Sequence, residues 1–230
     1  MLRESFINPY IETGVGHTKS REGLENLRVT RIYQFTHPGF DVVYRGSGRG
    51  EKRTRHKQLE ALWQEKLDEI SADPGAILFY VSRFAEDVLQ LYGKLKKGQK
   101  LNIGITTRQD LNLKAPEIEE ELRRMIDLKK RLGRRFFFIS HSDRDPDKQK
   151  KKLKMTLENR SVEIPDDIPI QCFGEYFEAC VKHEVKRLGD LLGRSGFNVD
   201  NPKHAQRLED HSLSLLDPES FYRTPPWKSP

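Results

Sequence analysis

The chain has 230 residues, 35% apolar and 33% charged, with 41 Lys and Arg against 35 Asp and Glu for a formal charge of +6. That length suits one generous domain or a domain with arms, and the short, separated apolar runs argue against a disordered chain. The longest apolar run, Ala76 to Val81, is far below the roughly 18–20 residues of a spanning helix, so no membrane role is expected.

The first 26 residues are polar and carry Gly14, Gly16 and Gly23, which reads as an arm. Leu27 to Phe35 is rich in β-formers and is followed by the turn signal His37-Pro38-Gly39 and then Phe40 to Tyr44, which predicts a hairpin. From Gln58 the pattern becomes helical, with Leu59, Leu62, Trp63, Leu67 and Ile70 on one face, until Asp73-Pro74-Gly75 ends it. Three strand–helix repeats are then expected. Ala76–Val81 is a buried strand followed by a helix from Phe84 to Leu95. Leu101 to Thr106 is a second strand, followed by a helix opening near Pro116 and carrying Ile118, Leu122, Met125, Ile126 and Leu132. Phe136 to Ser140 is the third.

Lys148 to Asn159 reads two ways, as a basic helix or as a strand through Leu153, Met155 and Leu157 paired with Ser161–Ile164. Ile168 to Phe173 is a further strand, and Tyr176 to Leu192 a long helix. A short helix over 202–214 and an extended, mobile Pro-rich tail complete the chain. Buried strands alternating with amphipathic helices predict an α/β fold, a three-layer Rossmann-like sandwich around a mainly parallel sheet. The expected division is an arm over 1–26, one α/β domain over 27–197 and a C-terminal extension over 198–230.

In such sheets ligands sit beyond the carboxyl ends of the strands. Those ends would bring together Ser82 and Arg83, then Thr106, Thr107, Arg108 and Asp110, then His141 through Asp147, then Gly174 and Glu175. Asp143, Asp145 and Asp147 alternate just after a buried strand. They would hold Mg²⁺, which needs few carboxylates when substrate phosphate completes its shell, with Asp143 and Asp145 as catalytic groups. The plainer reading makes them caps and turn residues, with Pro146 fixing the turn.

Three local resemblances attach to these segments. A strand followed by Asp143-x-Asp145 resembles the metal-binding element of toprim domains, which also have a glutamate where this chain has Ser82. Phe138-Ile139-Ser140-His141-Ser142 resembles the opening box of TIR domains. Gly174-x5-Cys180-Val181 resembles the nucleophile segment of isochorismatase-like hydrolases, which implies a cysteine acting with an aspartate and a lysine. No aspartate ends Ala76–Val81 to complete that set, and a small core residue is the plain reading of Cys180. Each resemblance spans a handful of residues.

The glycine-spaced cations from Arg45 to Lys57, with Arg49, Lys52, Arg53 and Arg55 among them, suit phosphate contacts, and no Gly-Lys-Ser/Thr makes them a Walker loop. Lys150, Lys151 and Lys152 sit in a second basic cluster directly after the aspartates. The sequence therefore leads us to expect DNA or RNA as the partner, with Mg²⁺-dependent phosphoryl transfer or phosphodiester cleavage. The alternatives are an enzyme on a nucleotide or phosphorylated ligand, with Thr106, Thr107 and Arg108 as anion contacts, or a non-catalytic interaction protein. With no export signal and two cysteines read as reduced thiols, the expected location is the cytoplasm.

Overall fold

The computed structural model describes residues 25–36, 51–82, 85, 88–89, 92, 115–140, 145–174 and 180–208, with backbone alone for 51–60, 115–117, 119 and 120. The strands are β1 (Leu27–Arg28), β2 (Arg31–Thr36), β3 (Ala76–Ser82), β4 (Phe136–Ser140), β5 (Val162–Glu163), β6 (Ile170–Gly174) and β7 (Ala205–Arg207). The helices are α1 (Glu51–Ala72), α2 (Ala115–Leu132), α3 (Pro146–Asn159) and α4 (Lys182–Leu191), with one 3₁₀ turn over Gly133–Arg135.

β3 is buried at all of its residues. A strand of this kind has helices on both of its faces, which explains why its sequence is continuously apolar rather than alternating. The five-stranded sheet runs β4-β3-β2-β6-β7, and every pairing in it is parallel. Taking those strands in chain order, the arrangement is 3-2-1-4-5, the doubly wound order of a Rossmann-like fold. β1 and β5 form a separate parallel pair.

Alternate strand residues feed two cores. On one face Tyr33, Phe35, Leu78, Tyr80, Phe136 and Phe138 meet Trp63, Leu67 and Ile70 of α1 and Leu122, Met125 and Leu128 of α2. Ala85, Val88 and Leu89, helical and buried, join them at helical spacing. On the other face Ile32, Phe79, Phe137, Ile139 and Ile170 meet Leu153 of α3 and Val185, Leu188 and Leu191 of α4. Burying one such side chain contributes about 1.5–3 kcal/mol. The α/β sandwich is as the sequence predicts.

Four details differ from the sequence expectations. β2 does not turn back into a hairpin over its own length, because parallel β3 and β6 occupy its two edges; Phe40–Tyr44 lies outside the described residues. Of the two readings of Lys148–Asn159, the structure shows the helix and not the strand. Leu153 and Thr156 point inward, while Met155 is exposed. Its would-be partner β5 pairs with β1 instead. Within 202–214, residues 205–207 form strand β7 on β6 with Ala205 in the core, so the sheet extends past residue 197. The expected strand at Leu101–Thr106, the arm over 1–24 and the tail over 209–230 lie outside the described residues.

At the amino ends of the strands, arginines finish the helices. Arg135 donates to the carbonyls of Ile70, Ser71, Asp73 and Ala76, satisfying the last turn of α1. Arg160, the residue after α3, donates to the carbonyls of Arg134 and Phe136 and lies over the Phe137 ring. Burial lowers its guanidinium to about 10. Among the described residues, no helix is long and apolar enough to cross a membrane.

Candidate functional site

The carboxyl ends of β2, β3, β4 and β6 are Thr36, Ser82, Ser140 and Gly174. Eight polar or charged residues are buried among those described, and six of them (Gln34, Thr36, Ser82, Glu121, Ser140 and Glu184) stand at this edge or are bonded into it. Buried polar groups cost free energy unless partnered, so their concentration at one end of the sheet marks that end as the candidate site.

On the α2 face, Glu121 accepts hydrogen bonds from Tyr80 Oη at 2.6 Å and Ser82 Oγ at 2.9 Å. Arg124 donates to Tyr80 Oη at 3.3 Å while lying over the Trp63 ring. Burial, then the Glu121 charge, holds the Tyr80 phenol well above its ordinary value, so it remains a hydrogen-bond donor. On the opposite face, Arg187 pairs with the buried Glu184 one helical turn back, Nη2 to Oε2 at 2.6 Å. The same guanidinium donates to the Ser140 carbonyl at 2.5 Å and to Gln149 Oε1 at 3.0 Å.

The strand order reverses between β2 and β6, which makes their carboxyl ends the topological switch point. A Cβ on Gly174 would lie 2.5 Å from Val181 Cγ2 and 2.6 Å from the Thr36 carbonyl oxygen. Glycine thus lets the chain entering α4 press onto the ends of both strands. Beneath them Gln34 donates from Nε2 to Thr36 Oγ1 at 3.2 Å, and its Oε1 accepts no hydrogen bond from the described residues. Cys180, half-buried, precedes Val181, whereas Cys172 is fully buried in β6.

The connection after β4 leads into α3. Asp145 is its N-cap, accepting from the Lys148 amide at 3.0 Å, with Pro146 at the start of the helix. Asp147 stands exposed in the first turn. Lys148, Lys150, Lys151 and Lys154 are exposed and Lys152 half-buried. Burial, then the neighbouring Lys148 charge, lowers the Lys152 amine, with Asp145 opposing. None of these five lysines forms an ion pair with a described residue, whereas Lys66, Lys182 and Lys186 do.

Of the residues singled out from the sequence, Asp145, Asp147, Lys150, Lys151 and Lys152 therefore share α3 and its cap. Lys52, Arg53 and Arg55 lie in the first turns of α1, with side chains undescribed. Arg49, Thr106, Thr107, Arg108 and Asp143 lie outside the described residues. Among the described residues no three His, Cys, Asp or Glu side chains converge as a metal site. Sequence reasoning missed Gln34, Glu121, Glu184 and Arg187. The two glutamates sit in helices rich in charge, and only the fold shows that they face inward. No family model, curated protein or solved structure matches the chain significantly.

Proposed function

We propose that the protein binds nucleic acid, with the phosphate backbone running along α3 toward the carboxyl edge of the sheet. The observation that carries this reading is the row of exposed lysines on α3 that no described carboxylate neutralises. Lysines on a merely solvated helix face are usually laced with Glu and Asp, whereas 148–154 contains none. From Lys148 to Lys154 the helix axis advances about 9 Å at 1.5 Å per residue. Duplex DNA presents about five phosphate charges over that distance, so the row is matched in density to a polyanion. Met155, 43% exposed beside the lysines, offers an apolar contact to a sugar or base.

The cations Arg45, Arg49, Lys52, Arg53 and Arg55 lie between the end of β2 and the first turns of α1, so chain connectivity starts them from the same edge. Mg²⁺ on Asp143 and Asp145 is the proposed source of any phosphodiester chemistry. Asp145 would then serve both as helix cap and as ligand. A gel assay with labelled single- and double-stranded DNA and RNA, with and without Mg²⁺ or Mn²⁺, tests both parts. A salt-sensitive shift supports the grip, and metal-dependent cleavage lost in Asp143→Ala supports the chemistry. No shift at low salt with any of the four substrates refutes the reading.

A nucleotide or phosphorylated small molecule at the switch point is the second reading, favoured by the buried polar residues gathered there. Stabilisation by nucleotides without any affinity for nucleic acid would select it.

A further inference from the structure

Residues 141–144 join β4 to α3 and include Asp143. Arg187, far along the chain on α4, touches both sides of that connection. It donates to the carbonyl of Ser140, the last residue of β4, and to Gln149 in the first turns of α3. Glu184, buried and one helical turn back, accepts from Nε at 2.7 Å and from Nη2 at 2.6 Å, which fixes the plane of the guanidinium. Asp145 closes the connection from within by capping α3.

We infer that Arg187 is the positioning residue of the proposed nucleic-acid site: it holds the end of β4 and the start of α3 at a fixed separation, and with them the α3 lysines. The inference rests on the reading of α3 as the phosphate-binding helix. Arginine is required because three acceptors on three elements must be reached at once by donors in one rigid plane. A lysine in its place keeps the charge beside Glu184 but has a single ammonium on a flexible stem. The Arg187 side chain is only 12% exposed and is engaged by Glu184, Ser140 and Gln149, so it acts through α3 rather than on a phosphate.

The test compares wild type with Arg187→Lys and Arg187→Met in three measurements: hydrogen exchange by mass spectrometry, thermal melting, and the salt dependence of binding to a labelled single-stranded oligonucleotide. In Arg187→Lys, amides of 145–152 should lose protection while those of β2 and β3 keep theirs. The slope of log affinity against log salt should fall by about 0.7, as one single-strand phosphate contact drops out of register. Arg187→Met should show the same local loss with a lower melting temperature. If both variants melt lower yet keep wild-type exchange at 145–152 and the wild-type salt slope, the residue is a structural pair partner and the inference is overturned. Should wild type bind no oligonucleotide, the α3 reading fails by itself, and exchange at 145–152 alone decides whether Arg187 holds the start of α3.

Discussion

Replacing Gln34 with methionine, with its partner Thr36 changed to valine at the same time, should make the protein more stable, which is unusual for a substitution at a fully buried position on the central strand. The side chain sits in the layer facing α3 and α4, its register neighbours being Phe79 on β3 and Cys172 on β6. One end of its amide has a partner, Thr36, and the other has none among the described residues. If the amide is rotated, the Thr36 hydroxyl donates and Nε2 becomes the unmatched end, so the cost remains either way. An unsatisfied buried polar group costs about 1–3 kcal/mol, and a satisfied neutral hydrogen bond contributes about 0.5–1.5 kcal/mol. Methionine has nearly the same reach and valine at 36 leaves no hydroxyl orphaned, so the pair removes both the unmatched end and the bond, for an expected net gain of about 0.5–1.5 kcal/mol. Methionine at 34 alone would strand the buried Thr36 hydroxyl. Urea denaturation monitored by the fluorescence of Trp63, which packs against Phe35 on β2, measures it directly. A loss of more than about 1 kcal/mol would refute the reasoning, because it would mean that the amide is satisfied by an enclosed water. If the variant is more stable but its ligand binding is lost, the unmatched amide is kept for function at the expense of stability.

Three further expectations follow from the geometry. Gly174→Ala forces a methyl against the Thr36 carbonyl, which as backbone cannot swing aside; it should cost about 1–3 kcal/mol in the same denaturation assay, and a change within about 0.5 kcal/mol would contradict the packing described. Lys129 is lowered from 10.5 to about 8 by burial and then by the Arg160 charge. The folded chain therefore releases this proton first, the unfolded chain binds more protons between those two values, and stability should rise with pH across that window. Lys129→Met should lose the rise, and a wild-type profile falling through the same window in parallel with the variant would count against it. In the native protein an aromatic disulfide reagent should titrate Cys180 and leave Cys172 unreacted until denaturant is added, since Cys172 is sealed within β6; reaction of both thiols at one rate would contradict the fold around β6.

Much of the architecture was legible because the buried strands are written without alternation. Ala76–Val81 and Phe136–Ser140 read as strands with two covered faces and Ile168–Phe173 as a further strand, and the structure places all three in one parallel sheet. β2 was harder, because Arg31 to Thr36 mixes Tyr33 and Phe35 with Gln34 and Thr36. That mixture imitates a half-solvated hairpin strand, while the polar residues are in fact the buried floor of the carboxyl edge. In α3 the alternation of Leu153, Met155 and Leu157 suggested a strand. The helix wins because Thr156 turns inward and bonds back to the Lys152 carbonyl at 2.9 Å, which hides its hydroxyl and leaves Met155 outside. β7 has three residues and no propensity signal, its place being fixed by pairing with β6. The candidate site was legible only as a list of strand ends. Glu121 in Glu119-Glu120-Glu121 and Glu184 beside Lys182 and His183 stand among charged neighbours in the sequence. Their burial depends on which way a helix faces once α2 and α4 have packed, a tertiary fact with no local mark.

The central claim, that α3 grips a phosphate backbone, is tested most directly by the salt dependence of binding. Fluorescence anisotropy with a labelled single-stranded oligonucleotide would compare wild type with a variant carrying Lys148→Ala, Lys150→Ala, Lys151→Ala and Lys154→Ala. Each single-strand phosphate neutralised contributes about 0.7 to the slope of log affinity against log salt, so the variant's slope should be shallower by about 2–3. All four side chains are exposed, so the melting temperature should stay near that of wild type. Equal slopes for the two proteins, or no binding by wild type at about 50 mM salt, where such contacts are strong, would contradict the account.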